Sequence, residues 1–126
     1  MEDGKTIPGT ILSADLTVAR TEQVRDFYEQ VVGWKHTGLS MGSYDDYVMA
    51  GADGEPVAGI CHPEGENAAL PPVWLVYFSV ENLQASLEAC RKLGGKVHYE
   101  PQAPISPNSY AVIEYPQGAY CAIAQI

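Results

Sequence analysis

The chain has 126 residues, 7 Lys+Arg against 16 Asp+Glu, a formal charge of −9 and a pI near 4.5. A 46% hydrophobic chain of one domain's length can bury a core, which excludes the disordered class. The lack of a basic cluster argues against nucleic acid. No apolar run approaches the roughly 20 residues of a membrane helix, and the N-terminus lacks a secretion signal's basic-then-apolar order, so the expectation is a soluble cytoplasmic protein with neither nucleic acid nor membrane as partner. Cys61, Cys90 and Cys121 are odd in number and lack C-x-x-C spacing, which suits reduced, mostly buried thiols.

In chain order, residues 9–18 mix β-branched, apolar and polar side chains and predict a strand. Val24, Phe27, Tyr28, Val31 and Val32 then fall at helical spacing, with Thr21 as the expected N-cap and Gly33 as the stop. Three short strands follow at 34–38, 44–50 and 56–62, broken by turn residues such as Asp53-Gly54. The stretch 63–72 is rich in Pro, Gly, Glu and Asn and reads as an exposed connection. The pattern then restarts. Residues 73–80 predict a strand, and Asn82 an N-cap. Leu83, Leu87, Cys90 and Leu93 form one helical face ended by Gly94-Gly95, and strands follow at 96–100, 110–115 and 119–125.

The two halves stand in register. Val18 and Val80, Tyr28 and Cys90, Val31 and Leu93, and Gly33 and Gly95 are each separated by 62 residues. Two long copies are not a solenoid but a pair of similar modules, each with a helix over one face of its sheet.

The order β-α-β-β-β twice over, with VRDFYEQVVGW (24–34), VENLQASLEACRKLGG (80–95) and the closing YPQGAYCAIAQI, resembles the vicinal oxygen chelate superfamily. That superfamily includes glyoxalase I, extradiol dioxygenases, fosfomycin resistance enzymes and bleomycin-binding proteins. The segments at 44–49, 56–62 and 70–80 are similar to a glyoxalase-like bacterial subgroup. The resemblance implies a single α+β domain over 1–126, made of two tandem βαβββ modules (about 9–62 and 73–126). They would form curled, half-barrel mixed β-sheets with the helices outside, small ligands in the concavities, and a homodimer.

Metal-dependent members place His, Glu or Gln ligands on the first and fourth strands of each module. By the same count, those positions fall here on Ser13, on Gly59 or Cys61, on Leu75 and on Ala122. Serine, glycine, leucine and alanine are not donors for a divalent ion, so the usual metal site is expected to be absent and no cofactor is predicted, a divalent ion held by other groups remaining open. Asp15 shares strand parity with Ser13, and an aspartate in an apolar strand needs a polar pocket, a donor or the surface. With His62 at a strand end, it forms the expected acid and base pair. Ser13, Tyr47, Tyr77, Glu114 and Tyr120 are the expected ligand-binding residues, Tyr77 being preferred to Trp74 because it shares parity with Leu75.

The blander reading of each residue stands beside these roles. Asp15 could accept a hydrogen bond at a module interface, His62 could be a surface residue, and half of the aromatic set could be ordinary core. His36 and His98 have no partner at ligand spacing, and Asp45-Asp46 reads as a solvated turn. Cys61 and Cys121 lack a neighbouring base that would make them nucleophiles, and no phosphate-cradling loop follows a strand. Tyr115 stands where the superfamily usually has Asp before its final Pro-x-Gly, and Glu114 is expected to take over that turn's hydrogen bonding. The leading expectation is a small-molecule enzyme of glyoxalase-like type without the usual metal. The alternatives are a non-catalytic protein that sequesters a cationic antibiotic in an acidic cleft and a module that binds another protein.

Overall fold

Alternation in the strands and 3.6-residue periodicity in the helices place ten regular elements in the computed structural model, which describes residues 6–126. They are β1 (Ile11–Thr17), α1 (Thr21–Val32), β2 (Lys35–Ser40), β3 (Asp45–Ala50), β4 (Pro56–Cys61), β5 (Trp74–Val80), α2 (Leu83–Lys92), β6 (Lys96–Tyr99), β7 (Tyr110–Glu114) and β8 (Tyr120–Gln125). The connection before β5 holds a single 3₁₀ turn, Gly65–Asn67. The fold is mixed α+β, and it divides into two compact units, Ser13–Trp74 and Leu75–Ile126, the second joined by the residues up to Leu12.

Each unit repeats one pairing plan. In the first, the strands lie in the order β2-β3-β4-β1, with β1 parallel to β4 and the other pairs antiparallel. In the second the order is β6-β7-β8-β5, and again only the first and last strands of the module, β5 and β8, run parallel. A parallel pair needs a crossover, which α1 and α2 supply.

The helices decide which sheet face is core. Under α1, Tyr47, Met49 and Ile60 are buried and pack with Val24, Tyr28, Trp34 and Trp74. Under α2, Leu83, Leu87, Ala111 and Ile123 are buried with Phe78, Val80, Val97 and Ile113 against them. Because neighbouring strand residues alternate, Ser13, Asp15, Asp46, Gly59 and Cys61 belong to the helix-free face of the first sheet. Tyr77, Tyr110, Val112, Glu114, Tyr120 and Ala122 belong to that of the second.

Four local expectations are corrected. Thr21 is the first helical residue rather than the cap. Arg20 takes the cap position in the left-handed region at φ 57°, and the buried Thr21 hydroxyl donates to the Val18 carbonyl at 2.8 Å. The α1 stripe is narrower than its periodicity implies: Val24 and Tyr28 meet the sheet, while Phe27, Val31 and Val32 are exposed, since one face of a helix over a flat sheet accommodates only part of the stripe. Leu93 lies beyond the end of α2 at its C-cap and is 77% exposed. Asp46 is not in a solvated turn but within β3, 6% exposed, and only Asp45 faces solvent. Asn82 does cap α2, its side chain accepting from Ala85 N–H at 3.0 Å, and Gly33 ends α1 at φ 88°.

Candidate functional site

The first module carries two polar clusters, one on each side of its sheet. On the helix side, Glu22 in the first turn of α1 meets Tyr47 from β3 and His62 from the end of β4. The Tyr47 hydroxyl donates to Glu22 Oε2 at 2.7 Å, and His62 Nε2 stands 3.1 Å from the same oxygen. Arg25 lies over the Tyr47 ring at 4.7 Å, and the Tyr44 ring packs edge-on to His62. The hydroxyl contact lowers the Glu22 pKa and raises that of Tyr47, because it stabilises the carboxylate and holds the phenol proton.

On the helix-free side, Asp15 lies over Gly59 with Cys61 beside it. A Cβ on Gly59 would stand 2.5 Å from Asp15 Oδ1. Asp46 accepts the His62 backbone N–H at 2.8 Å. The Cys61 thiol is pushed up to about 12, first by burial and then by the carboxylates of Asp15 and Asp46, which rules it out as a thiolate nucleophile at neutral pH.

Asp15 lies over Gly59 on the side away from α1. The His62 ring, just past the end of β4, meets Glu22 and Tyr47 on the helix side and brings Nδ1 to 3.4 Å from Asp46 Oδ1. Asp46 thus stands between the Cys61 thiol near Asp15 and the His62 ring. Tyr47 is likewise a core residue under α1 rather than part of a helix-free lining. Ser13 stays exposed on the helix-free side.

The second module gathers the other expected residues on its helix-free face. Tyr77 lies 5.9 Å from Tyr110, which stacks on Tyr99 at 5.0 Å. Farther along β7 and β8, Glu114 Oε1 is 2.7 Å from His98 Nε2, and the His98 ring stacks on Tyr120 at 4.9 Å. His98, chiefly, lowers the Glu114 pKa, while burial and Glu114 raise that of Tyr120. Glu114 thus bonds across the sheet rather than to the turn that follows it. That turn closes through the backbone, Tyr115 N–H donating to Ala119 O at 2.7 Å. His98 was missed because its partner is 16 residues away, set by the β6–β7 register, and His36 pairs with Glu29 of α1 for the same kind of reason.

The positions that would hold a metal do not fit one. Leu75 and Ala122 are buried apolar residues, Ser13 is an exposed hydroxyl, a side chain at Gly59 would displace the Asp15 carboxylate, and at the alternative position burial holds the Cys61 thiol neutral. Among the described residues, no group of three or more His, Cys, Asp or Glu is placed to hold an ion.

Residues 10–121 match the family model described as Glyoxalase/Bleomycin resistance protein/Dioxygenase superfamily. The chain belongs to this superfamily. Within it, the chain is 30% identical over 115 residues to "Putative glyoxylase CFP32" of Mycobacterium tuberculosis, covering 91% of this chain and 43% of that protein. It is 26% identical over 128 residues to "Anthracycline biosynthesis protein DnrV" of Streptomyces peucetius, covering 92% of this chain and 46% of the other. The chain thus spans less than half the length of these superfamily relatives. The Mn(II)-bound glyoxalase from Novosphingobium aromaticivorans shares the fold at a TM-score of 0.58 and 17% identity, over 94% of this chain and 39% of that one. Methylmalonyl-CoA epimerase from Mycobacterium tuberculosis does so at 0.56 and 16%, over 96% and 91%. No helix among the described residues is long and apolar enough to cross a membrane.

Proposed function

We propose that the protein is a small-molecule-binding member of the superfamily, one that takes a planar aromatic ligand on the helix-free face of its second module without a divalent ion at the four family positions. The observation that carries this reading is the run of rings Tyr77, Tyr110 and Tyr99, with Tyr120, His98 and Glu114 forming a polar end on the same face. Tyrosine rings offer flat apolar area with little rotamer entropy to lose, and the Glu114 carboxylate gives one end of the face a charge that orients a ligand. Two relatives named for anthracycline biosynthesis support a planar polycyclic skeleton as the ligand class. Binding is favoured over proton transfer because the tyrosine rings and the Glu114 carboxylate share one face, whereas the His62 ring is engaged by Glu22 and Asp46. The reading includes the homodimer that the superfamily resemblance implies and the cytoplasmic location expected from the sequence.

The test is titration with daunorubicin, a planar anthracycline, followed by calorimetry with and without EDTA. Binding that EDTA leaves unchanged, and that Tyr110→Ala weakens by about tenfold, or about 1.4 kcal/mol, is the expected result. Binding that disappears with EDTA, or that Tyr110→Ala leaves untouched, would overturn the proposal.

A further inference from the structure

The repeat between the modules exposes a difference in how each fills the space between helix and sheet. In the first module that space is filled by rings. Tyr28 lies 5.8 Å from Trp34 and 5.2 Å from Trp74, and Trp74 Nε1 donates to the Tyr28 hydroxyl at 3.1 Å. Advanced by the 62-residue repeat, Tyr28 becomes Cys90, Val24 becomes Ser86 and Trp34 becomes Lys96. Lys96 is paired with Glu114, whose side chain lies on the opposite face of the sheet, so the Trp34 ring has no replacement. Gly95 adds no side chain, and the Cys90 sulfur folds over it, 2.6 Å from where a Cβ would stand.

The outcome is a cavity of about 340 Å³ between α2 and the β7–β8 pair, walled by Ser86, Ala89, Cys90, Ile113, Cys121 and Ile123. Leu93 and Tyr115 also line it, and their exposure of 77% and 61% puts them at its mouth. The charged residue in its wall is Glu114, and that carboxylate is engaged by His98 across the sheet.

We propose that this cavity is a second binding site, independent of the tyrosine face, and that it takes one uncharged aromatic molecule of one or two rings. Size and polarity argue for that class. An apolar cavity of about 150 Å³ holds benzene, so this larger space admits two fused rings. A charged ligand would lose its hydration with no opposite charge to meet. The first module supplies the precedent within this chain, since the same space there is occupied by a phenol and indoles.

Indole is the probe. Calorimetry on the full chain should give a dissociation constant at or below about 1 mM. Saturating indole should also slow alkylation of Cys90 and Cys121 by N-ethylmaleimide at least about fivefold, with the urea-unfolded chain, which has no cavity to fill, as the unprotected control. Cys90→Tyr restores the ring of the first module and should weaken indole binding at least about tenfold, and Ser86→Leu does the same by filling the opposite wall should the tyrosine variant not fold. Tyr110→Ala, on the tyrosine face, should leave indole binding unchanged, which separates this site from the one proposed above. The proposal is overturned if the folded protein shows neither heat nor protection, or if indole binding survives both filling variants. It is also overturned if sedimentation shows a dimer that Leu93→Glu dissociates while neither form takes indole, since a second copy would then be the occupant.

Discussion

Cys61 shows how a single side chain is set by its surroundings. It shares the helix-free face of the first sheet with Asp15 and Asp46, and burial adds to these two negative charges in raising its thiol to about 12. A rise from 9.0 to about 12 leaves about a thousandfold less thiolate at neutral pH than an unperturbed cysteine has. The native protein should therefore be alkylated at Cys61 about a thousandfold more slowly than the urea-unfolded chain, read by mass spectrometry at pH 8. The sign also fixes the effect on stability. The fold favours the neutral thiol, so its contribution is complete below pH 9 and is lost as pH climbs toward 12. A native Cys61 alkylated as fast as the unfolded one would mean that the thiol is neither buried nor faced by the two carboxylates. The Asp15 carboxylate also bears on the glycine opposite: a Cβ at Gly59 would stand 2.5 Å from Asp15 Oδ1, so any side chain there requires the carboxylate to shift.

At the scale of elements, the two helices begin in different ways although their sequences repeat. Asn82 is extended and its side chain receives Ala85 N–H, whereas the position before α1 is a left-handed Arg20 with no side-chain cap. Asn82→Ala should therefore cost about 1 kcal/mol in urea unfolding, and a change below about 0.3 kcal/mol would show that this cap contributes nothing. Thr21 looked like a cap because a threonine before an apolar stripe commonly is one, but its hydroxyl is turned inward to the Val18 carbonyl. The order of elements was legible because Gly33, Gly94 and the turn residues break two clear periodicities in the same places of each module. Site geometry was less legible. Parity along one strand set Tyr77 and Trp74 on opposite faces correctly. His62 lies just past the end of β4, where alternation gives way to the direction of the loop, so parity along the strand does not fix its ring. The carboxylate partners lie 7 residues from His36, 16 from His98, and 16 and 40 from His62, and only helix placement or strand register brings them into contact.

Across the whole chain, sixteen acidic residues against seven basic ones make stability at low pH depend on which carboxylates the fold holds ionised. Glu22, chiefly through the Tyr47 hydroxyl, and Glu114, chiefly through His98, are held in this way, one in each compact unit. Each has its pKa below the ordinary 4.5, so each adds stability that is present above that value and lost as pH falls through the lowered one. Glu22 is half exposed and Glu114 partly exposed, so salt screens the effect, more at Glu22. Urea midpoints measured at pH 6 and again below pH 4 should therefore fall less for Glu22→Gln and for Glu114→Gln than for the unaltered chain, because glutamine keeps the shape but does not titrate. The two changes share no partner, so the double variant should recover the sum of the single effects. An identical acid-induced fall in all four proteins would show that neither contact persists in solution. A double effect far from the sum would show instead that Tyr47 and His98 report on one coupled network rather than on two separate modules.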